Sequence, residues 1–185
     1  MGNADATPFI KTLNKYSKVD PVSADNLDEL ISDLSQYNTV IVGLHTSNAN
    51  PWKSYQFTDK ELVWLYEIAR TNTVILNVFS KPYALNDLKS IANFESILMA
   101  YQNSPIAQQT AAQIIFGALP AKGKLPVSCG SNFKAGDGII TKAIDRLTFG
   151  LPESVGIDSR RLHKIDSIAS YAISEKMTPG IQLLV

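Results

Sequence analysis

The chain reads as an α/β protein, a doubly wound and mostly parallel sheet in a three-layer α/β/α sandwich. Three observations predict this. Runs of near-continuous Val, Ile and Leu (TVIVGL at 39–44, TVILNVF at 73–79, ESILMAY at 95–101) have the length of strands and lack a polar face, as strands covered on both sides do. Stretches whose apolar residues recur at helical spacing alternate with them. Cap residues stand where those helices begin, and right-handed crossovers between parallel strands then give the doubly wound arrangement.

In chain order, Thr7-Pro8 opens the first helix, with a cap oxygen followed by a proline whose missing N–H costs nothing there. Phe9, Ile10, Leu13 and Tyr16 share its face. Lys18-Val19-Asp20 reads as a short edge strand. Ser23 is the expected cap of a second helix, with Leu27, Leu30, Ile31 and Leu34 on the buried side. After the strand at 39–44 comes a polar loop, His45 to Phe57. Thr58-Asp59-Lys60-Glu61 is a capping box, in which threonine takes a first-turn amide and glutamate reaches back; Leu62, Leu65, Tyr66 and Ala69 follow on one face. Beyond the strand at 73–79, Pro82 to Ala92 reads as a short helix. The strand at 95–101 ends in the turn Gln102-Asn103, and Ser104-Pro105 repeats the cap-then-proline opening. That helix places Ala107, Ala111, Ile114 and Ile115 on one face and stops at Gly117. Gly130 to Gly138 is glycine-rich and reads as loop or linker. Asp158 caps a last helix carrying Leu162, Ile165, Ile168, Ala169 and Ala172, Pro179-Gly180 ends it, and Ile181 to Val185 reads as the start of a strand.

Composition narrows the function. The chain has 185 residues, 45% of them hydrophobic, enough for one core and a little more. Seventeen basic residues balance seventeen acidic ones, which gives no electrostatic pull toward nucleic acid or an anionic membrane. No apolar run reaches spanning length. The single cysteine, Cys129, excludes an internal disulfide and a multi-cysteine metal site, and its setting is that of a small buried hydrophobe.

Ligands of open α/β sheets meet the loops at the carboxyl ends of the strands, here His45–Phe57, Ser80-Lys81 and Gln102-Asn103. Neither GxGxxG nor GxxxxGK[ST] occurs, so a dinucleotide or NTP site has no support, and no cofactor or metal site is expected. A phosphoacceptor site would need clustered acids where His45, Ser80 and Tyr101 stand. Ser131-Asn132-Phe133-Lys134 matches the SxxK pattern of a serine hydrolase, but outside a helix start the match reads as coincidence. His163, on an amphipathic helix, reads as a surface residue.

Gly117, Pro120, Gly123, Lys124, Leu125, Pro126 and Val127, following a strand and a helix rich in small residues, resemble the end of the C-terminal α/β domain of glycoside hydrolase family 3. The stretch GLPESVGIDSRRLHKIDSIASYAISEKMTPGIQLLV resembles the opening of a serine β-lactamase-like domain of the class C, penicillin-binding type. The implied organisation is a family 3 sandwich domain at 1–130, a linker at 131–157 and the truncated start of a β-lactamase-like domain at 158–185. The resemblance further implies a sheet that lacks its first strand, with a vacant central place, and a helical appendage at the C-terminal end.

Glycoside hydrolysis takes two carboxyl groups, and the resemblance places the nucleophile in a preceding barrel domain. In the β-glucosidase branch the acid/base glutamate lies in a loop of the α/β domain. The corresponding loop here, HTSNANPWKSYQF, has no Asp or Glu before Asp59, and fits instead the β-N-acetylglucosaminidase-like branch, where the barrel supplies that group. The resemblance therefore implies an accessory fragment of a β-N-acetylhexosaminidase-type hydrolase, with no catalytic residue of its own and no activity alone. Its implied partners are the barrel of the same parent and a carbohydrate substrate, and its implied home is periplasmic or exported. His45, Asn48 and Trp52 are the residues that would face the barrel or a sugar. The plainer reading has Trp52 packing an interface and His45 satisfying a strand-end carbonyl. The alternative function is a non-catalytic module that binds carbohydrate or protein through the same loop.

Overall fold

The computed structural model describes residues 7–47 and 55–183, and divides the chain into two compact units, Met1–Leu147 and Thr148–Val185. The first contains helices α1 (Pro8–Leu13), α2 (Leu27–Leu34), α3 (Asp59–Thr71) and α4 (Pro105–Ile115) and strands β1 (Thr39–His45), β2 (Thr73–Phe79) and β3 (Phe94–Met99). Its sheet has the order β1-β2-β3 with both pairs parallel. Side chains alternate across it, as the pleat requires. Val40, Val42 and Leu44 of β1, with Val74, Leu76 and Val78 of β2, pack under α2 and α3. Ile41 and Phe79 face the other way and pack with Phe9 and Leu13 of α1 and Ala111 and Ala112 of α4. Helices therefore lie on both sides of a parallel sheet, the α/β sandwich read from the sequence.

The caps form as their chemistry dictates. Thr7, Thr58 and Ser104 accept the amides of Ile10, Glu61 and Ala107, and both arms of the Thr58–Glu61 box are present. Gly117 stops α4 in the left-handed region at φ 72°, and Ala118 N–H returns to the Gln113 carbonyl at 2.9 Å. A Cβ there would also stand 2.5 Å from Ile144 Cγ1, so glycine is required for conformation and for space.

Several local readings are corrected. The cap of α2 is Asn26, whose side chain accepts from Glu29 N–H at 2.9 Å, and not Ser23; asparagine immediately before the apolar period outcompetes a serine three residues earlier. Lys18-Val19-Asp20 forms no strand, although Val19 packs against the α1–α4 cluster. The helix after β2 is a short 3-10 segment, Pro82–Asp87. The buried face of α4 is Gln108, Ala111, Ala112 and Gln113, turned toward α1 by the small alanines. Ile181–Leu183 adopt no strand conformation, and Leu184 and Val185 lie outside the described residues.

Among the described residues the three strands are contiguous, with no vacant central place between them, and the outer edges of β1 and β3 carry no partner strand. Thr46 N–H bonds to the Phe79 carbonyl and Thr73 N–H to the Asn38 carbonyl. Since the direction of the backbone groups alternates along a strand, the N–H and C=O of Val40, Val42 and Leu44 point toward β2 while those of Thr39, Ile41, Gly43 and His45 point outward.

The glycine-rich stretch after Cys129 folds back onto the first unit. Cys129 N–H bonds to the Phe133 carbonyl at 2.8 Å, Asn132 Nδ2 to the Leu88 carbonyl at 2.9 Å, and Phe133 packs on the α2–α3 side of the core. Part of the expected linker, as far as Leu147, thus belongs to this unit. The second unit contains a 3-10 turn, Pro152–Val155, and helix α5 (Ser159–Ser174). Asp158 caps α5 as expected, accepting from Arg160 N–H, and α5 has no buried residue. Ile168 is 70% exposed, while Leu162, Ile165 and Ala169 of the same stripe are half-buried.

Candidate ligand-facing site at the carboxyl ends of the strands

Parallel strands bring all their carboxyl ends to one side, and residues distant in sequence meet there. His45 ends β1, Thr46 follows it, Phe79 ends β2, Ser80 follows that, and Asn103 precedes the cap of α4. The His45 ring lies stacked on Phe79, with centroids 4.5 Å apart and planes 16° from parallel. Phe9 of α1 meets it edge-on at 6.3 Å. Gly43, two residues earlier on the same face, makes room for the ring: a Cβ at that position would fall 2.7 Å from His45 Nε2.

Hydrogen bonds tie these residues to one another. His45 Nδ1 stands 3.0 Å from Asn103 Oδ1. Asn103 Nδ2 donates to the Thr46 carbonyl at 2.9 Å. Gln108 Nε2 donates to Asn103 Oδ1 at 2.7 Å, and Gln108 Oε1 accepts from Phe9 N–H at 3.2 Å. Alongside, Ser80 Oγ donates to the Tyr55 carbonyl and Thr46 Oγ1 donates to Ser80 Oγ, both at 2.9 Å. Glu61 and Asp87 have structural partners. Glu61 Oε2 accepts from Thr58 N–H at 2.7 Å and from its hydroxyl at 2.8 Å, and Asp87 Oδ2 accepts from Phe57 N–H at 3.1 Å. The cluster is built from an imidazole, two amides and two hydroxyls. It can exchange hydrogen bonds with a neutral polar ligand, and it presents aromatic surface beside them.

Of the three residues singled out from the sequence, His45 stands in this cluster, while Asn48 and Trp52 lie outside the described residues. His45 does not satisfy a strand-end carbonyl. Asn103 does that, and His45 meets the other end of the same amide. Asn103 was legible only as a turn residue. In the sequence Phe9 is legible only as part of a helix face and Gln108 carries no mark of its own, yet a glutamine on the alanine-rich inner side of a helix, here 8% exposed, is a signal that it has a buried partner.

The other candidates stand elsewhere. Ser131 of the SxxK match lies in a turn after Cys129, outside any helix. Cys129 is fully buried, and burial pushes its thiol above the ordinary range, opposite to what a nucleophile needs. His163 is exposed on α5, 3.9 Å from Asp166. A shallow apolar groove of about 380 Å³ runs between β3 and α4, lined by residues such as Leu98, Ala100 and Ile106. Among the described residues no group of three His, Cys, Asp or Glu side chains stands close enough to hold a metal, and no helix is long and apolar enough to cross a membrane. No family model matches the chain, and neither a curated protein nor a solved structure is matched by it.

Proposed function

We propose that the chain is the accessory, non-catalytic α/β part of a glycosidase that removes terminal β-linked N-acetylglucosamine-type sugars, the catalytic barrel being a separate domain. The reading rests on the resemblance of Gly117 to Val127 to the family 3 signature. One observation in the structure carries it further: the cluster at the strand ends consists of neutral hydrogen-bonding groups beside aromatic rings, with the neighbouring Glu61 and Asp87 occupied by backbone amides. Such a surface suits sugar hydroxyls or a barrel loop and does not supply the paired carboxyl groups that glycoside cleavage uses. The parent's compartment, periplasmic or exported, belongs to the same proposal.

The test is an assay of the chain against a chromogenic N-acetylglucosaminide, alone and with a family 3 barrel domain added. The expected result is no turnover by the chain alone and a gain in the barrel's kcat/KM when the chain is present. Turnover by the chain alone would overturn the non-catalytic assignment. A barrel indifferent to the chain would sink the accessory role.

A further inference from the structure

The hydrogen bonds around His45 determine which of its nitrogens carries the proton. The chain of bonds is anchored at both ends by main-chain groups, which have fixed roles. Phe9 N–H can only donate, so the Gln108 atom that meets it is the oxygen, and the Gln108 amide nitrogen must face Asn103. The Thr46 carbonyl can only accept, so the Asn103 atom that meets it is the nitrogen. Both ends therefore assign the Asn103 atom beside His45 as the oxygen. A carboxamide oxygen accepts and never donates, and has two lone pairs, one for Gln108 and one for His45. In a neutral imidazole one nitrogen donates and the other accepts.

We infer that Asn103 and Gln108 hold His45 as its Nδ1–H tautomer, leaving Nε2 as an unprotonated acceptor for a hydroxyl of a neutral, polyhydroxylated ligand at the carboxyl ends of the strands. Three further observations support a built site. The ring is fixed in plane by stacking on Phe79 and in depth by Phe9. The missing side chain of Gly43 is the space that admits it. His45 is exposed, and its Nε2, which lies over Gly43, has no hydrogen-bond partner among the described residues, so an acceptor of fixed position is left for a ligand. Asn103 and Gln108 are positioning residues, acting on a ligand only through His45. The tautomer follows from the bond network alone; the ligand class rests on the glycosidase reading.

Ring-nitrogen NMR of the whole chain at about pH 8, above the usual imidazole range of about 6.5, reads the tautomer directly. His163, the only other histidine and an exposed one, serves as the internal reference. His45 is expected as Nδ1–H with a bare Nε2, whereas Asn103→Ala loses this pattern and moves toward the Nε2–H form that free imidazole side chains prefer. Gly43→Ala displaces the ring and loses the Asn103 bond. An Nε2–H His45 in the unmodified chain would overturn the inference even if every variant failed to fold, as would an unchanged pattern in a folded Asn103→Ala. Titration with millimolar N-acetylglucosamine is expected to shift the His45 Nε2 resonance and leave His163 in place; no shift would overturn the ligand assignment. The two readings fail separately. A sugar-dependent shift without any effect on a barrel sinks the accessory role alone, and a barrel effect without a sugar-dependent shift sinks the ligand assignment alone.

Discussion

Asn77 shows how a single residue can be at odds with its surroundings. It sits mid-strand in β2, fully buried, opposite Gly43 in the β1 register. Its Nδ2 reaches the Val42 and Ile75 carbonyls only at 3.4 and 3.3 Å, and its Oδ1 has no partner among the described residues. A buried acceptor without a donor costs about 1–3 kcal/mol in lost hydration, and two long contacts return only part of that. Asn77→Val keeps a strand-forming shape and removes the orphan atom. It is expected to stabilise the chain by about 1 kcal/mol, a rise in Tm of about 2–4 °C for a chain of this size. Thermal unfolding followed by circular dichroism checks it, and a fall in Tm would show that the two Nδ2 contacts outweigh the unpaired oxygen.

Elements in this chain are secured mainly at their ends. α3 is the clearest case, with the reciprocal Thr58–Glu61 box at its start and the Glu67–Arg70 pair at 2.6 Å near its finish. The pair is largely exposed and contributes little. The box satisfies amides that the helix cannot, so Thr58→Ala is expected to cost about 1 kcal/mol. Denaturant titration should show a lower midpoint with an unchanged slope; an unchanged midpoint would mean that water replaces the threonine oxygen without loss. Leu65, Ile68 and Ala69 then fix where α3 lies, by packing on the sheet. β1 shows the opposite condition. Its inner edge is bonded to β2 along its whole length, while Thr39, Ile41, Gly43 and His45 direct their backbone groups outward, the kind of edge to which another strand can add.

For the first unit as a whole, the response to alkali follows from three acids, the buried Cys129, the half-buried Tyr16 and Tyr101 at the surface. Burial raises the Cys129 thiol. Burial also raises the Tyr16 phenol, against the opposing charge of Arg146, and the Tyr101 phenol, with the neighbouring Cys129 adding to it. Each group holds its proton more tightly folded than unfolded. Below the unfolded pKa both states are protonated and nothing is lost; above it the unfolded chain ionises first and stability falls until the folded group follows. Tm is therefore expected to be level near neutrality and to decline from about pH 8.5, where free thiols ionise, through about pH 10, where free phenols do. Cys129→Ala should remove the earlier part of the decline. A Tm that stays level to pH 10 would contradict the burial of Cys129 and Tyr16.

The sequence by itself determined three strands, read at 39–44, 73–79 and 95–101 and found at Thr39–His45, Thr73–Phe79 and Phe94–Met99, the third ending before Tyr101, which takes a positive φ, together with the caps at Thr7, Thr58, Ser104 and Asp158 and the stop at Gly117. These depend on local chemistry, a branched apolar run, an oxygen one residue before a helix, or a residue free to take a positive φ. It also marked His45 and Ser80 as strand-end residues, because a parallel sheet sends all such ends one way. The partners were decided only in the tertiary structure. His45 finds Asn103 across 58 residues and Phe9 finds Gln108 across 99, and no local pattern encodes contacts made by packing α1 against α4. Val19, Phe133 and Ile168 show the same limit from the other side: their composition promised a strand, a linker and a buried stripe. Val19 and Phe133 pack against the core of the first unit, a contact between residues far apart in sequence that no local pattern announces, and Ile168 is exposed on its own helix.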